Sequence, residues 1–320
     1  MNRWNSKRIA FVSILIAMSI SFVIIGAQAA ALSSLPSFKL SLAGLPIKIV
    51  GYLFGPITGF LTGFITDLLS FLFIPAFYYP VYSVALGVSG AFPGLIAIFF
   101  NYCYERLSKE NVIKSLKTKQ IIIKHEIHLL DFGNENNPKM VEKLNKKLDK
   151  IENKISKLNL SNQEKYQMDF AFYFGMAIIL ILMICITTII ILVISQEEIN
   201  NYFADKGVLK LFSNKSLFSG IIWVGLGTSL ILLLICRFKM KPQNFLTFTP
   251  ILIFVILTEY VNLPIIAFAD EHTINVTFIA SFIASLIMSP IKIWFNLIII
   301  NFAIKITLPL IRKKTFNGYI

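Results

Sequence analysis

The sequence carries little charge and few of the residues that enzymes use for covalent or metal chemistry. Only 15% of its 320 residues are charged, and it contains three cysteines and three histidines. No G-x-x-x-x-G-K-[S/T] phosphate loop, H-E-x-x-H or G-x-S-x-G motif occurs in it. The cysteines lie within or at the ends of apolar runs and have neither zinc-site nor disulfide spacing. We therefore expect no enzyme, no metal site, no cofactor and no ATP hydrolysis by this chain.

Long apolar runs make up most of the sequence instead. Hydrophobic residues account for 56% of the chain and its mean hydropathy is +0.72, which is typical of polytopic membrane proteins. A formal charge of +13 would suit nucleic-acid binding, but the basic residues flank apolar segments rather than forming one stripe. Anchoring of cytosolic loops explains that placement better. We predict an all-α protein of the cell membrane with no nucleic-acid partner.

The apolar runs predict about eight membrane helices with both termini in the cytosol. The first run, residues 9–32, could be a signal peptide, but its apolar core is longer than the usual ~7–15 residues, so a retained span is preferred. Residues 33–44 are predicted as a polar connector. The other predicted helices are a short one at 46–54 and spans at 56–73, 81–104, 170–195, 217–236, 245–263 and 278–311.

A hydrophilic segment, residues 105–165, separates two groups of spans. Residues 106–165 contain fourteen basic and eight acidic residues, a balance of +6, and we expect them in the cytosol. Apolar residues alternate spacings of three and four there, a heptad seam that predicts an amphipathic helix with a partner. The seam residues are Val141, Leu144, Leu148, Ile151, Ile155 and Leu158. The partner is residues 112–130, another subunit or a second copy.

Small residues recur every fourth position in two places. Gly51, Gly55, Gly59 and Gly63 form the longer series, and Ser13, Ala17 and Ser21 form the other. Small residues at this spacing share a helix face and let a second backbone approach closely, which is how helices associate in lipid. Pro56 divides the longer series into two helices, because it lacks an N–H and disfavours the α conformation at Gly55. The serine and alanine series is a contact face or a chance pattern.

Charged and aromatic residues within the spans are candidates for ligand contact, since a charge in hydrocarbon is costly unless it is paired or functional. Asp67 lies roughly 16 Å along its span, near the middle of a ~30 Å hydrocarbon core. Lys292 follows Pro290 in the last span and either pairs, for example with Asp67, or extends to the interface. The aromatic cluster at 77–82 either anchors its helix at the headgroups or offers rings to a ligand.

Residues 38–94 resemble the substrate-binding S components of energy-coupling factor (ECF) vitamin transporters, with most similarity to the folate-specific branch. The sequence Phe54-Gly55-Pro56, followed by Gly59, Gly63 and Asp67, occupies the places of that family's F-G-P turn, G-x-x-x-G and mid-helix aspartate. Residues 251–305, with SPIKIWFN, are similar to its last two helices. Ser13 to Ala17 stand where the family carries a docking motif.

The resemblance implies a six-helix core with two additions. The core comprises residues 1–104 and 243–320, the charged helical insertion comprises 105–165, and an extra transmembrane hairpin comprises 166–242. Such a protein captures a vitamin, here folate, outside the cell and is driven by an ECF module of two ATPases and a membrane scaffold subunit. Riboflavin and pantothenate are the alternative vitamins.

The resemblance also implies the residues that would meet folate and the module. Ser13, Ala17 and Ser21 would face the scaffold subunit. The ligand contacts would be Tyr79 and Tyr82 by stacking, Lys39 or Lys48 at the carboxylates, and Glu259 or Asp67 at the donors of the ring. A structural pair between Lys48 and Asp67 is the alternative.

Two other functions are considered from the sequence. One is a membrane scaffold that recruits a partner through the heptad helix and carries no small molecule. The other is a self-sufficient secondary transporter, against which the lack of a detectable inverted repeat argues.

Overall fold

The fold is described from a computed structural model that covers residues 6–28, 36–73, 78–132, 138–160, 163–204 and 215–314. Within these ranges the regular structure is helical, which confirms the predicted all-α class. The helices are α1 (Ser6–Gln28), α2 (Pro36–Phe54), α3 (Pro56–Phe73), α4 (Pro80–Arg106), α5 (Lys109–Phe132), α6 (Pro138–Leu160), α7 (Gln163–Leu192), α8 (Gln196–Ala204), α9 (Lys215–Lys239), α10 (Pro242–Thr273) and α11 (Phe278–Lys314).

Seven of the described helices are long and apolar enough to cross a membrane, namely α1, α3, α4, α7, α9, α10 and α11. A shorter apolar stretch, Leu42–Phe54, lies in α2. Large aliphatic side chains point away from the bundle, and Ile184, Val224 and Ile298 are 66%, 66% and 65% exposed. Such a surface suits lipid tails rather than water. The described helices therefore indicate a polytopic membrane protein, with seven qualifying spans where about eight were predicted.

The helix before Gly55 is longer than predicted. α2 begins at Pro36 and runs through Pro46, so residues 36–44, predicted as a connector, are helical where the structure describes them. Proline removes one helical hydrogen bond, which packing against neighbouring helices compensates in a membrane. The predicted break is present: Gly55 has a φ of +97°, a left-handed conformation that glycine adopts without penalty, and Pro56 starts α3.

Glycines bring α2 and α3 against α4, backbone to backbone. A Cβ built on Gly59 would lie 2.1 Å from the carbonyl oxygen of Gly90, and one on Gly51 would lie 1.8 Å from the same atom. A Cβ on Gly63 would lie 2.3 Å from another carbonyl oxygen of α4. Nothing lies within 4 Å of a Cβ built on Gly55. The conformation of Gly55 turns the chain between α2 and α3, and its backbone packs on α4, because a Cβ built on Gly94 would lie 2.6 Å from the carbonyl carbon of Gly55.

The helix α10 is the most buried of the candidate spans and packs on α4, α7 and α11. Its residues 251–256 are each fully buried. A helix that is apolar on all sides is stable only when other elements surround it. The two helices of the predicted extra hairpin, α7 and α9, pack on each other, and they also contact α10 and α11 respectively.

Hydrogen bonds between helix termini define one end of the bundle. The Nε2 atom of Gln167 in α7 donates to the carbonyl oxygen of Tyr104 in α4 at 2.8 Å. The Tyr104 hydroxyl donates to the carbonyl oxygen of Leu246 in α10 at 3.2 Å, and Arg237 of α9 pairs with Asp169 of α7. We call this the basic end. Because α4 and α9 finish here while α7 and α10 begin here, neighbouring spans run in opposite directions, as predicted.

The hydrophilic insertion folds into a hairpin of α5 and α6. Leu144 of the heptad seam and Leu116 of α5 are buried, and Gln120 donates to Glu152 across the pair at 2.7 Å. The seam thus packs on the 112–130 segment, which is the first of the three predicted partners. The side chain of Leu158 lies outside the described part of the chain.

Candidate functional site

Charged and amide side chains form a buried layer where α2, α10 and α11 meet. The Nζ atom of Lys48 lies 3.0 Å from Oε1 of Glu259, and Nδ2 of Asn296 donates to the same oxygen at 2.6 Å. Lys292 lies one helical turn before Asn296, and these four side chains are 0 to 7% exposed. We call Lys48, Glu259, Lys292 and Asn296 the charged layer. Its members come from three helices, of which α10 and α11 are consecutive and α2 is distant in the sequence.

Lys48, Asp67 and Glu259 were predicted as ligand contacts, with a Lys48–Asp67 pair as the alternative. The structure brings Lys48 and Glu259 together but places Asp67 elsewhere, where it accepts a hydrogen bond from Ser83 at 2.5 Å. The Lys48–Asp67 pair is therefore wrong, and so is the suggested Lys292–Asp67 pair. The reason is packing: α3 lies along α4, whose Ser83 supplies the donor.

A second polar group lies at the opposite end of the bundle, which we call the tyrosine end. The hydroxyl of Tyr82 donates to Oδ1 of Asp270 at 2.6 Å and lies 3.0 Å from Oγ1 of Thr273. The Ser281 hydroxyl donates to the other carboxylate oxygen of Asp270, which is 4% exposed. These hydrogen bonds join the start of α4 and the start of α11 to the end of α10.

Tyr79 and Tyr82 were predicted to stack on a ligand. In the structure Tyr79 stacks on His272, with ring centroids 5.9 Å apart and an interplanar angle of 10°. Tyr82 meets Tyr79 edge-on at 6.4 Å. Aromatic contacts of these two kinds are the favourable ones, so the rings form a small cluster at the tyrosine end. The side chain of Lys39, the other predicted contact, lies outside the described part of the chain.

Polar residues on α10 connect the charged layer to the tyrosine end. Glu259, Asn262 and Asp270 are spaced by three and eight residues, which places them on one face of α10. Asn262 lies between the other two and donates from Nδ2 to Oγ of Ser89 in α4 at 2.6 Å. Eleven residues separate Glu259 from Asp270, a rise of roughly 16 Å at 1.5 Å per residue.

The facing side of α11 is polar along the same length. Five polar residues of α11 recur at spacings of three and four positions and therefore share one helix face. Each of them is 0 to 5% exposed. They are Ser281, Ser285, Ser289, Lys292 and Asn296. We call this set, together with the polar face of α10, the polar column. It runs through the bundle from the charged layer to the tyrosine end.

The residues of the polar column that sequence reasoning missed are mainly Asn262, Asp270 and Asn296. The predicted span 245–263 stopped short of Asp270, whereas α10 continues to Thr273. A signal was present, because the polar residues of α11 recur at helical spacing within an apolar run. That pattern distinguishes a buried polar face from scattered serines.

Removing the Tyr82 hydroxyl tests the tyrosine end. Tyr82→Phe keeps the ring but takes one donor from the buried Asp270, so we expect a loss of about 1–3 kcal/mol in unfolding free energy. Thermal unfolding in detergent measures it. Tyr102→Phe is the control, since Tyr102 is 53% exposed and its ring contact with Arg106 is kept. Equal unfolding temperatures for the two variants would contradict the described contact.

Comparisons with protein-family models, curated proteins and solved structures found no match to this chain. The resemblance to ECF S components therefore depends on the residues quoted for it above. The polar column is the feature from which a function is inferred.

Proposed function

We propose that this chain is the membrane-embedded binding subunit of an ECF-type importer, which captures a vitamin outside the cell. The observation that supports this best is the polar column. Charged and polar groups within a membrane are costly and mark substrate paths or functional pairs. Here a Lys–Glu pair, a second lysine and two buried asparagines lie among seven candidate spans. Helix packing alone would be served by apolar residues.

Folate is the vitamin that the resemblance favours. Its pterin ring would be placed among the aromatic rings and the Asp270 carboxylate of the tyrosine end, and its carboxylates near Lys48. The rise of roughly 16 Å between Asp270 and Glu259 suits an elongated ligand of that kind. Riboflavin and pantothenate are the alternatives within the same class.

The distribution of basic residues supports one orientation for this proposal. Arg106 ends α4, and Arg237 and Lys239 end α9, all at the basic end. Since basic residues flank spans on the cytosolic side, the basic end would face the cytosol of a plasma-membrane protein. The tyrosine end would then face outward, where a vitamin arrives.

The proposal assigns the energy source to separate ATPases and a scaffold subunit. Ser13, Ala17 and Ser21 of α1 are exposed on the bundle surface. Their small side chains would let a helix of the scaffold subunit approach closely in lipid. The ECF module would dock on this face.

Ala17→Trp tests the docking face. The indole would hold a scaffold helix away, so we expect vitamin uptake by cells that also express an ECF module to fall at least tenfold, with vitamin binding unchanged. Met18→Trp is the matched control, because Met18 is the neighbouring exposed residue but lies off the small-residue series. Uptake that survives Ala17→Trp, or falls equally in both variants, would contradict docking at this face.

The function itself is tested with purified protein. Mass spectrometry of the small molecules that copurify, followed by calorimetry with folate, riboflavin and pantothenate, should identify one tightly bound vitamin. Proteoliposomes should accumulate that vitamin only when the ECF module and ATP are present. Accumulation by this chain alone would favour a secondary transporter. Absence of any bound vitamin would remove the proposal.

The structure removes the main argument for the scaffold hypothesis. It was based on a heptad seam in need of a partner, and in the structure α5 packs on that seam.

A further inference from the structure

Lys292 is the least compensated charge among the buried residues that the structure describes. Its side chain is 2% exposed, yet it makes no hydrogen bond and no ion pair within 4.0 Å to another described residue. Lys48, in the same layer, has Glu259 at 3.0 Å. Leaving a charge buried without a partner is strongly unfavourable, so a protonated Lys292 requires a counter-charge at hydrogen-bond distance, which the described residues do not supply.

The charges around Lys292 come from two other helices. Glu259 and Asp270 of α10 attract its ammonium group, and Lys48 of α2 repels it. Oε1 of Glu259, however, already accepts from both Lys48 and Asn296. The charged layer thus holds two lysines and one carboxylate, a formal excess of one positive charge when each group carries its ordinary charge.

A second unsatisfied group lies on α10, about one turn from Glu259. Oδ1 of Asn262 is buried and has no hydrogen-bond partner, although Nδ2 of the same side chain is bonded to Ser89. A buried acceptor left without a donor costs free energy. Asn262 is three residues from Glu259, a rise of roughly 4.5 Å toward the tyrosine end.

We propose that a single carboxylate of the ligand binds Lys292, and that a hydroxyl or amide N–H of the same ligand donates to Oδ1 of Asn262. The ligand is then an organic monoanion with a donor close to its carboxylate. This inference rests on the proposed function and changes its preferred substrate: the resemblance alone favours folate, whereas the charged layer favours a monoanion. Pantothenate, with one carboxylate together with hydroxyl and amide donors, has this chemistry. Folate carries two carboxylates, which would reverse the charge of the layer, and riboflavin carries none.

The test uses the full chain in lipid nanodiscs and calorimetry with four probes: pantothenate, its uncharged primary amide, folate and riboflavin. Pantothenate should bind roughly 10- to 100-fold more tightly than its amide, which is the ratio that a charge-assisted hydrogen bond supplies. Lys292→Met should abolish this ratio, whereas Lys292→Arg should keep most of it. Lys305→Met is the matched control, since Lys305 is an exposed lysine of the same helix, and it should leave the ratio unchanged.

The comparison of pantothenate with its amide needs no variant, so a misfolded Lys292→Met protein would not prevent the test. Equal binding of acid and amide, tighter binding of folate than of pantothenate, or saturation of the site by chloride alone would each overturn the inference. Tight binding of riboflavin or folate would overturn the inference about the monoanion but would leave the proposed function as a vitamin-binding subunit unaffected. Failure of all four probes would overturn it too, and the proposed function would fall with it only if no other vitamin copurifies.

Discussion

Gly59→Ala is expected to destabilise the protein by about 3 kcal/mol, at the upper end of what overpacking usually costs. The added Cβ would lie 2.1 Å from the carbonyl oxygen of Gly90. A flexible side chain could rotate away, but this contact is with backbone, so α3 and α4 would have to separate. Because the two helices pack along most of their length, the separation would remove many contacts.

Unfolding temperature in detergent measures this effect, and Gly227→Ala provides the control. Nothing lies within 4 Å of a Cβ built on Gly227 in α9. Alanine there should leave stability unchanged or raise it by roughly 0.5–1 kcal/mol, since glycine is a poor helix former. If both variants melted together, the close approach of α3 to α4 would not exist in the membrane.

Glu259→Leu should have an effect of similar size through charge rather than volume. It would leave Lys48 and Lys292 buried without a nearby carboxylate, and breaking a buried pair in this way costs about 3–5 kcal/mol. We expect lower unfolding temperature and loss of ligand binding. Glu142→Leu is the matched control: it breaks the Lys146–Glu142 pair, whose side chains are 71% and 65% exposed, and exposed pairs contribute little.

The double variant Lys48→Met/Glu259→Leu separates pairing from packing. Replacing a buried ion pair by apolar residues of similar size is often neutral, so the double variant should regain the stability that Glu259→Leu loses through Lys48. It should not regain the part lost through Lys292, nor ligand binding. Additive losses in the double-mutant cycle would mean that the Lys48–Glu259 contact is absent.

Sequence patterns correctly predicted the features that depend on residues close together in the chain. The break at Gly55 follows from Pro56, and the close packing at Gly59 follows from the spacing of small residues. Both were predictable because local steric rules decide them. The ranges of the long spans were also predicted within a turn or two in most cases, with the end of α10 as the main exception.

Contacts between distant helices could not be predicted in the same way. Lys48 and Glu259 are 211 positions apart, and nothing in a single sequence states that α2 meets α10. Asp67 attracted attention as a mid-span carboxylate, but a serine on α4 already bonds it. The polar face of α11 could be detected in the spacing of its serines. Which side chains it contacts, however, depends on the helix that packs against it.

The hydrogen bonds of Asp270 bear on timing as well as on stability. They hold three helix ends together at the tyrosine end. If a vitamin enters at that end, as proposed, opening these bonds would form part of the barrier to both entry and escape, and a shared barrier slows exchange without changing the equilibrium. Such a ligand would then have a long residence time, even at modest affinity.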